Sequence, residues 1–392
     1  GNCNSDTMPP NIQWQNTIGG SNSDFFPGFY SMHQTADGGY ILGGTSVSNT
    51  SGDKTENSQG GADFWVVKLN AAGEILWQNT IGGSGADELY TIQQTSDGGY
   101  ILAGSSDSNI GGDKTEKNQG LEDYWIVKLS ALGVIEWQNT IGGNAGDAPY
   151  SIRQTSDGGY IVGGFSSSNN SGDKTESNLG GTDYWVLKLS ASGIIQWQNT
   201  IGGVDNDFLY SVQQTTDGGY ILGGVSDSNI GSDKTENNLG VRDYWVIKLN
   251  AAGNVQWQNT IGGSDLDELT SIQQTTDGGY VLGGWSYSNI SGDKTESNFG
   301  SSDYWVVKVN SIGEIQWQNT IGGSGYDDNQ SIQQTSDGGY VLGGFSESNS
   351  GNDKTENSQG GGDYWVVKLN NLGNIQWQKS IGGSGNDFLS SI

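Results

Sequence analysis

The sequence predicts an all-β fold built from repeated four-stranded units, and three observations support this prediction. First, the motif DGGY begins at Asp37 and recurs five times at intervals of 60 residues, as does DKTE from Asp53. Second, each interval contains four short runs that are rich in β-branched and aromatic residues. Third, we find no segment with the apolar periodicity of a helix.

Within one repeat we predict four strands, A to D, that form two hairpins. Leu89–Thr95 (A) and Tyr100–Ser106 (B) flank the turn signal SDGG, and Tyr124–Leu129 (C) and Val134–Ile141 (D) flank SALG. Repeats of four antiparallel strands are typical of β-propeller blades. Common blade types have about 40–50 residues, and the excess here lies in the loop between B and C. A parallel β-helix is the competing fold, but its repeats are usually shorter and lack two hairpins.

The motif at the end of strand D occurs once more than the complete repeats do. It reads WQNTIGG at Trp14, Trp77, Trp137, Trp197, Trp257 and Trp317, and WQKSIGG at Trp377. We therefore predict one propeller domain, residues 11–392, after a flexible segment 1–10. Its six complete blades are expected at about 28–82, 88–142, 148–202, 208–262, 268–322 and 328–382. A closing strand at 11–19 and residues 387–392 would contribute to a partial seventh blade, and the natural chain would continue beyond Ile392.

The repeat pattern DGGYILGG…DYWVVKLNAAGNIQWQNTIGGSGxD resembles bacterial β-propeller repeat families with units of roughly 60 residues. The resemblance extends from Trp14 to Ile392. It implies a seven-bladed propeller in a secreted, multi-domain surface protein of the kind found in Bacteroidetes, often exported by type IX secretion. The turn before the Trp of strand D also resembles the Trp-docking turn of quinoprotein-type propellers. We expect this Trp to pack between blades.

Composition restricts the possible partners. The net charge of −28 disfavours nucleic acid and anionic membranes, whereas cations and neutral ligands such as sugars remain compatible with it. The only cysteine, Cys3, excludes an intrachain disulfide and could be either a lipid-anchored residue or an ordinary thiol. No apolar run approaches the ~18 residues of a membrane span.

The long polar loops of a propeller of this kind, D–A and B–C, emerge on the same face, where we expect the function. Recurrent acidic residues lie there, represented by Asp87, Asp113, Glu116 and Asp123. Clusters of carboxylates suit Ca²⁺, so these residues and their repeat equivalents are candidate calcium ligands. The alternative is that the Asp side chains cap turns and that the Lys of DKTE pairs with a neighbouring Asp.

Residues that differ between repeats are candidates for ligand specificity. Two variable positions at the end of strand B carry Phe165, Trp285, Tyr287 and Phe345. Exposed aromatic rings beside Asn and Asp are suited to neutral sugars. The alternative is that these rings pack under their own long loop.

The sequence gives little support for catalysis. The one histidine, His33, has no partner motif for a Ser–His–Asp triad, and no phosphate-binding or dinucleotide fingerprint is present. A carboxylate pair for glycoside hydrolysis would have to stand out from the repeats, and none does. We therefore expect a non-enzymatic binding or adhesion module outside the cell or at its surface. A passive scaffold or spacer in a larger surface protein is the alternative, and a hydrolase ranks third.

Overall fold

The structure is a computed structural model that describes residues 8–25 and 31–392. Within these residues the secondary structure is strand, turn and loop, without a helix and hence without one that could cross a membrane. The strands form six antiparallel blades, of which five have four strands and the first has five, because two short strands take the place of its strand A. The predicted all-β architecture of propeller blades is therefore confirmed.

The strands are numbered in chain order, and each blade adds its strands in the sequence A, B, C, D. Blade one contains β1 (Asp24–Phe25), β2 (Met32–Gln34), β3 (Tyr40–Ser46), β4 (Asp63–Leu69) and β5 (Ile75–Ile81). Blade two contains β6 (Asp87–Gln94), β7 (Tyr100–Ser106), β8 (Asp123–Leu129) and β9 (Ile135–Ile141). Blade three contains β10 (Asp147–Gln154), β11 (Tyr160–Ser166), β12 (Asp183–Leu189) and β13 (Ile195–Ile201).

The remaining three blades follow the same order. Blade four contains β14 (Asp207–Gln214), β15 (Tyr220–Ser226), β16 (Asp243–Leu249) and β17 (Val255–Ile261). Blade five contains β18 (Asp267–Gln274), β19 (Tyr280–Ser286), β20 (Asp303–Val309) and β21 (Ile315–Ile321). Blade six contains β22 (Asp327–Gln334), β23 (Tyr340–Ser346), β24 (Asp363–Leu369) and β25 (Ile375–Ile381).

The strand boundaries agree closely with the sequence prediction, with one informative difference. In blade two, strand B has the predicted bounds, whereas strand A begins at Asp87, two residues before the predicted start. The register between β6 and β7 shifts between Leu89 and Thr91, which makes Tyr90 a bulge residue. Bulges redirect a side chain, and such a shift is not visible in the apolar pattern.

The chain forms two compact units, one of Ile12–Gln214 and one that contains Thr215–Ile392. In both units the core lies between neighbouring blades. In the first unit, the ring of Tyr124 in blade two contacts Trp185 of blade three with centroids 4.9 Å apart. In the second unit, Tyr304 contacts Trp365 in the same way at 5.0 Å.

The tryptophan of strand C is a core residue that the sequence analysis did not identify. Trp125 is fully buried, and its indole N–H donates to Gln138 Oε1 at 3.1 Å. All seven residues of β8 are buried, so this strand contributes side chains to the core from both faces. The contact with Gln138 satisfies the one polar group that the buried indole carries.

The tryptophan of strand D packs between blades, as predicted. Trp137 lies against Gly193, in the C–D turn of the next blade, and meets Tyr160 edge-on with centroids 5.8 Å apart. Asn139, two residues further along the strand, donates from Nδ2 to the carbonyl of Gly193 at 2.6 Å. One strand therefore fixes the following blade through both an aromatic contact and a hydrogen bond.

The segment before the first blade makes the contacts of a strand D without being in a strand. The indole of Trp14 meets Tyr40 edge-on at 5.4 Å and donates to the carbonyl of Ala71 at 3.2 Å. Residues 12–18 are nevertheless irregular.

The last residues of the sequence make the packing contacts of a strand A but do not form a strand. Leu389 and Ile392 pack against Gly343, as Leu89 and Ile92 pack against Gly43. Residues 385–392 form no strand. The partial seventh blade is thus not formed among the described residues, and the expected seven-bladed ring is not confirmed.

The docked tryptophan predicts a measurable difference between two glycines of blade three. A Cβ on Gly193 would lie 2.8 Å from Trp137 Cζ3, whereas one on Gly158 would meet nothing within 4 Å. Both glycines have a left-handed φ, so alanine at either costs about 1–2 kcal/mol. We expect Gly193→Ala to cost a further ~1–3 kcal/mol because it displaces both the indole and the Asn139 amide, which would lie 2.6 Å from the new Cβ. Urea unfolding measures both, and equal losses would contradict the docking contact.

Candidate functional site

Asp87 and Asp123, two of the four predicted calcium ligands, are strand residues that cap the loops of the D–A/B–C face. Asp87 begins β6 and Asp123 begins β8, and both are fully buried. Asp87 Oδ2 accepts hydrogen bonds from the backbone N–H of Gly83 at 2.7 Å and from the hydroxyl of Ser108 at 3.0 Å. Asp123 Oδ2 accepts from the backbone N–H of Gln119. The turn-capping interpretation is therefore confirmed for these two positions.

The other carboxylate oxygen of Asp123 explains the first glycine after strand D. A Cβ on Gly142 would lie 1.9 Å from Asp123 Oδ1. A side chain at this position is excluded because the buried carboxylate occupies the space. The first glycine of the pair that ends WQNTIGG thus follows from the burial of an acidic residue in strand C.

The DKTE motif attaches the B–C loop to its own blade and to the preceding one. The backbone N–H of Asp113 donates to the carbonyl of Gly82, in the preceding blade, at 2.8 Å. Glu116 Oε2 accepts from the backbone N–H of Thr140 at 2.6 Å. The ammonium of Lys114 donates to Thr140 Oγ1 at 2.6 Å and lies 5.2 Å from the ring centroid of Trp125. Each residue of the motif therefore has a structural partner.

The predicted calcium ligands do not converge on a common point. The positive charge that acts on Asp87, Asp123 and Glu116 is the buried ammonium of Lys114. Burial lowers the Lys114 pKa to about 8, and the three carboxylates oppose that shift. Among residues 8–25 and 31–392, no three His, Cys, Asp or Glu side chains form a group that could hold a metal ion. The donor set does not fit a Ca²⁺ site, which requires ~6–8 oxygen ligands.

The buried carboxylates of neighbouring blades influence one another. Asp303 begins strand C of blade five and Asp327 begins strand A of blade six, and both are fully buried. Burial, together with the charge of Asp327, raises the pKa of Asp303 to about 7. Burial likewise raises the pKa of Asp243 in blade four to about 6. In the folded state both groups therefore keep their proton to a higher pH than an exposed aspartate does.

Two of the four predicted aromatic ligand residues lie together in blade five. The rings of Trp285 and Tyr287 meet edge-on with centroids 5.5 Å apart, and both side chains are half-buried. Tyr326, in the D–A loop that leads to blade six, meets Tyr287 at 6.3 Å and is 42% exposed. The three rings form an open aromatic surface on the D–A/B–C face.

Polar groups border this aromatic surface. Asp328 accepts a hydrogen bond from the hydroxyl of Ser302 at 2.6 Å, and burial raises its pKa. Burial also raises the pKa of Tyr287, with contributions from Asp328 and Tyr326. We call Trp285, Tyr287, Tyr326, Ser302 and Asp328 the Tyr287 patch. The last three were not predicted, although each differs from its counterparts in the other repeats, which is the signal that could have identified them.

The other two predicted aromatic residues have different surroundings. Phe345 is only 6% exposed, stacks on Phe388 with centroids 4.4 Å apart and lies against Gly362 of its own B–C loop, so it packs as the alternative interpretation expects. Phe165 belongs to a cluster in the first unit, where it contacts Tyr150 at 5.6 Å and Phe208 at 5.4 Å. Tyr150 is a bulge residue of strand A, which explains why the apolar pattern did not reveal this cluster.

Two residues that interrupt the repeat pattern serve local electrostatics. Arg242 pairs with both carboxylate oxygens of Asp227, at 2.6 and 3.0 Å, and with Glu268 at 3.3 Å. It therefore supplies charge balance in an acidic chain. Burial and the charge of Arg153 lower the pKa of His33 to about 3, so this histidine is neutral at physiological pH.

The comparisons with known proteins find similar proteins but do not assign this chain to a family. No family model matches the chain. Regulatory protein FlaEY of Caulobacter vibrioides is 23% identical over 266 residues, which is 61% of this chain and 27% of that protein. The chain thus spans about a quarter of its curated relative.

The similar solved structures include bacterial proteins. BamB from Moraxella catarrhalis has a TM-score of 0.42 and 15% identity, with coverage of 95% of this chain and 93% of BamB. A protein of unknown function from Bacteroides caccae has a TM-score of 0.42 and 11% identity, with coverage of 83% and 93%. The Pan2 WD40 domain of Neurospora crassa has a TM-score of 0.48 and 10% identity, with coverage of 91% and 79%. Because these scores are below 0.5, the fold assignment rests on the sheets themselves.

The buried carboxylates predict that stability falls as the pH approaches neutrality. Asp303 has an ordinary pKa of 3.8 and a folded pKa of about 7, so its stabilising proton is lost as the pH rises through 7. Asp337 acts oppositely: hydrogen bonds from Thr335, Lys368 and Gly339 lower its pKa to about 2, and its contribution is lost as the pH falls towards 2. We expect the free energy of unfolding to be greatest near pH 4–5.

Two variants separate these effects in urea unfolding followed against pH. Asp303→Asn should flatten the decline towards pH 7, and Asp337→Asn should flatten only the acid limb, below about pH 4. An unchanged neutral limb in Asp303→Asn would contradict the assignment.

The arrangement of the acidic residues also predicts the response to calcium. We expect the Tm to be the same in Ca²⁺ and in EDTA, because Lys114 already supplies the positive charge near Asp87, Asp123 and Glu116. A ligand at 100 times its Kd would stabilise the folded state by about 2.7 kcal/mol. A Tm increase that is specific to Ca²⁺, with Mg²⁺ as control, would restore the calcium hypothesis.

Proposed function

We propose that this chain is a ligand-binding module of a secreted or cell-surface protein and that the Tyr287 patch holds a neutral glycan. The observation that carries the proposal is the juxtaposition of three aromatic rings, one of them 42% exposed, with the carboxylate of Asp328. The chain would act by binding and not by catalysis.

The chemistry of the patch favours a sugar over other ligands. Aromatic rings offer an apolar surface for the C–H groups of a pyranose, and Asp328, which is held by the hydroxyl of the buried Ser302, offers a carboxylate for its hydroxyls. The net charge of −28 disfavours an anionic glycan, so the ligand is expected to be neutral.

The contacts of the repeated residues explain why binding would depend on blade five. Asp87, Lys114, Glu116 and Asp123 of blade two, which represent the recurrent positions, are engaged with their own backbone and core. Trp285, Tyr287 and Tyr326 occur at positions where the other repeats carry different residues. A ligand that recognises one blade must contact such exceptional residues.

The location and context of the module belong to the same proposal. The resemblance to repeats of bacterial surface proteins supports an extracellular or cell-surface location, adhesion as the biological role and, for a Bacteroidetes source, type IX secretion. It also supports membership in a larger chain with a seven-bladed propeller.

A passive scaffold is the second candidate function, and one observation favours it. The capping bonds of Asp87 recur at Asp147, where Oδ2 again accepts from the backbone of Gly143 at 2.7 Å and from Ser168 at 2.9 Å. Such uniform interactions in successive repeats suit a rigid spacer. A hydrolase remains the third candidate, without a group of catalytic residues to support it.

A glycan array with matched variants tests the binding function. We expect Trp285→Ala and Tyr326→Ala each to weaken binding of the recognised neutral glycan by roughly tenfold, about 1.4 kcal/mol. Leu132→Ala, at a turn residue that is 79% exposed, should leave binding unchanged. Circular dichroism would verify that every variant is folded. Absence of any glycan signal for the unmodified chain would favour the scaffold.

A further inference from the structure

A second kind of concave site lies on the opposite face of the second unit, where the short A–B and C–D turns emerge. A cleft of 350 Å³ lies between blades five and six, and one of 390 Å³ between blades four and five. The first is lined by Asp277, Lys308, Gln316, Trp317, Gln334 and Tyr340. The second is lined by their equivalents 60 residues earlier, Asp217, Lys248, Gln256, Trp257, Gln274 and Tyr280.

We propose that these equivalent clefts each bind one neutral, pyranose-sized sugar, so that the chain is multivalent on this face. The volumes lie at the lower end of the range of small-molecule pockets, ~300–1,000 Å³, and fit one sugar unit better than an extended ligand. The proposal is independent of the Tyr287 patch, which lies on the other face.

The aromatic wall of each cleft comes from the tryptophan that docks onto the next blade. Trp317 meets Tyr340 edge-on with centroids 5.6 Å apart, and Trp257 meets Tyr280 in the same way at 5.9 Å. One edge of the Trp317 indole contacts Gly373, while the half-buried ring also lines the cleft. The same indole can therefore hold the blades together and offer an apolar surface to a sugar ring.

The charged groups of the cleft neutralise each other. The Lys308 ammonium lies 2.9 Å from Asp277, and it also donates to the carbonyl of Val309 at 3.0 Å and to Gln316 Oε1 at 2.9 Å. Its three acceptors satisfy the ammonium. The Asp277 side chain is still 56% exposed, so its oxygens can accept from ligand hydroxyls. A balanced ion pair favours a neutral polar ligand over a charged one.

Hydrogen-bond donors complete the cleft. Tyr340, which is 2% exposed, and the exposed Gln316 line the cleft, and within the described parts of the chain the Tyr340 hydroxyl and the Gln316 amide nitrogen have no hydrogen-bond partner. Gln334 is already engaged, because its Oε1 accepts from the backbone N–H of Thr276 at 2.9 Å. The cleft thus combines an aromatic wall with a carboxylate acceptor and two donors, the combination that a sugar ring requires.

The first unit contains the same framework with informative differences. Trp137 and Tyr160 have their centroids 5.8 Å apart, and Trp77 and Tyr100 have theirs 5.7 Å apart. The position of Gln316 is occupied by Leu76 in blade one. There Lys68 still pairs with Asp37 at 3.0 Å, so the fold tolerates leucine at this position.

This natural leucine supplies a test variant that preserves the fold. The double variant Gln256→Leu/Gln316→Leu removes a polar group from both clefts, and Tyr280→Phe/Tyr340→Phe removes both hydroxyls while it keeps the rings. Isothermal titration calorimetry with glucose, galactose, mannose and N-acetylglucosamine would measure affinity and stoichiometry. We expect the unmodified chain to bind at least two equivalents of one sugar. In either double variant we expect the chain to bind two equivalents fewer, or to bind at two of the sites at least fivefold more weakly.

The Tyr287 patch provides the control that separates the two sites. Trp285→Ala should leave the equivalents on the turn face unchanged. The proposal is overturned if none of the four sugars binds. It is also overturned if the unmodified chain binds a single equivalent of sugar and this binding is lost in Trp285→Ala but unchanged in both double variants. That result would still support the proposed function of the Tyr287 patch.

Discussion

The contact between the strand D indole and the glycine of the next C–D turn is the interaction on which the rest of the structure depends. Trp137 and Asn139 reach Gly193 of the following blade, and this arrangement requires that the turn carries no side chain. The buried aromatic layer beneath it, such as Tyr124 against Trp185, can pack only when neighbouring blades are held at this spacing. Loops and candidate sites on either face take their positions from the same contact.

Burial of charge is the second constraint, and it explains the composition of the repeat. A carboxylate that enters the core is destabilised unless it is compensated, and in Asp123 the backbone N–H groups at Oδ2 and the field of Lys114 offset only part of the cost of burial, because Oδ1 has no hydrogen-bond partner among the described residues. The carboxylate of Asp123 also leaves no space for a Cβ at position 142, which is therefore glycine. One glycine and one acidic residue of each repeat are therefore linked by packing.

Prediction from sequence succeeded where one residue pattern has one structural meaning. Strand B of blade two and the packing role of Trp137 were readable because alternation, turn signals and regular spacing agree. The start of strand A at Asp87 could not be predicted in this way. An acidic residue normally signals a loop, and the burial of Asp87 depends on partners distant in sequence. Tyr326 was not predicted since it lies in a variable loop, and the stacking of Phe345 on Phe388 was not visible because the two residues are distant in sequence.

The repetition of one inter-blade contact also shapes how this molecule can change. When each blade interacts mainly with its neighbours, stability is approximately a sum of blade terms and nearest-neighbour terms. An altered residue on one blade then changes few of those terms, so distant blades need no compensating substitutions. Blade five could acquire Trp285 and Tyr326 while the docking of Trp137 onto blade three stayed the same. The surface residues of each blade can therefore evolve separately while the contacts between blades are kept.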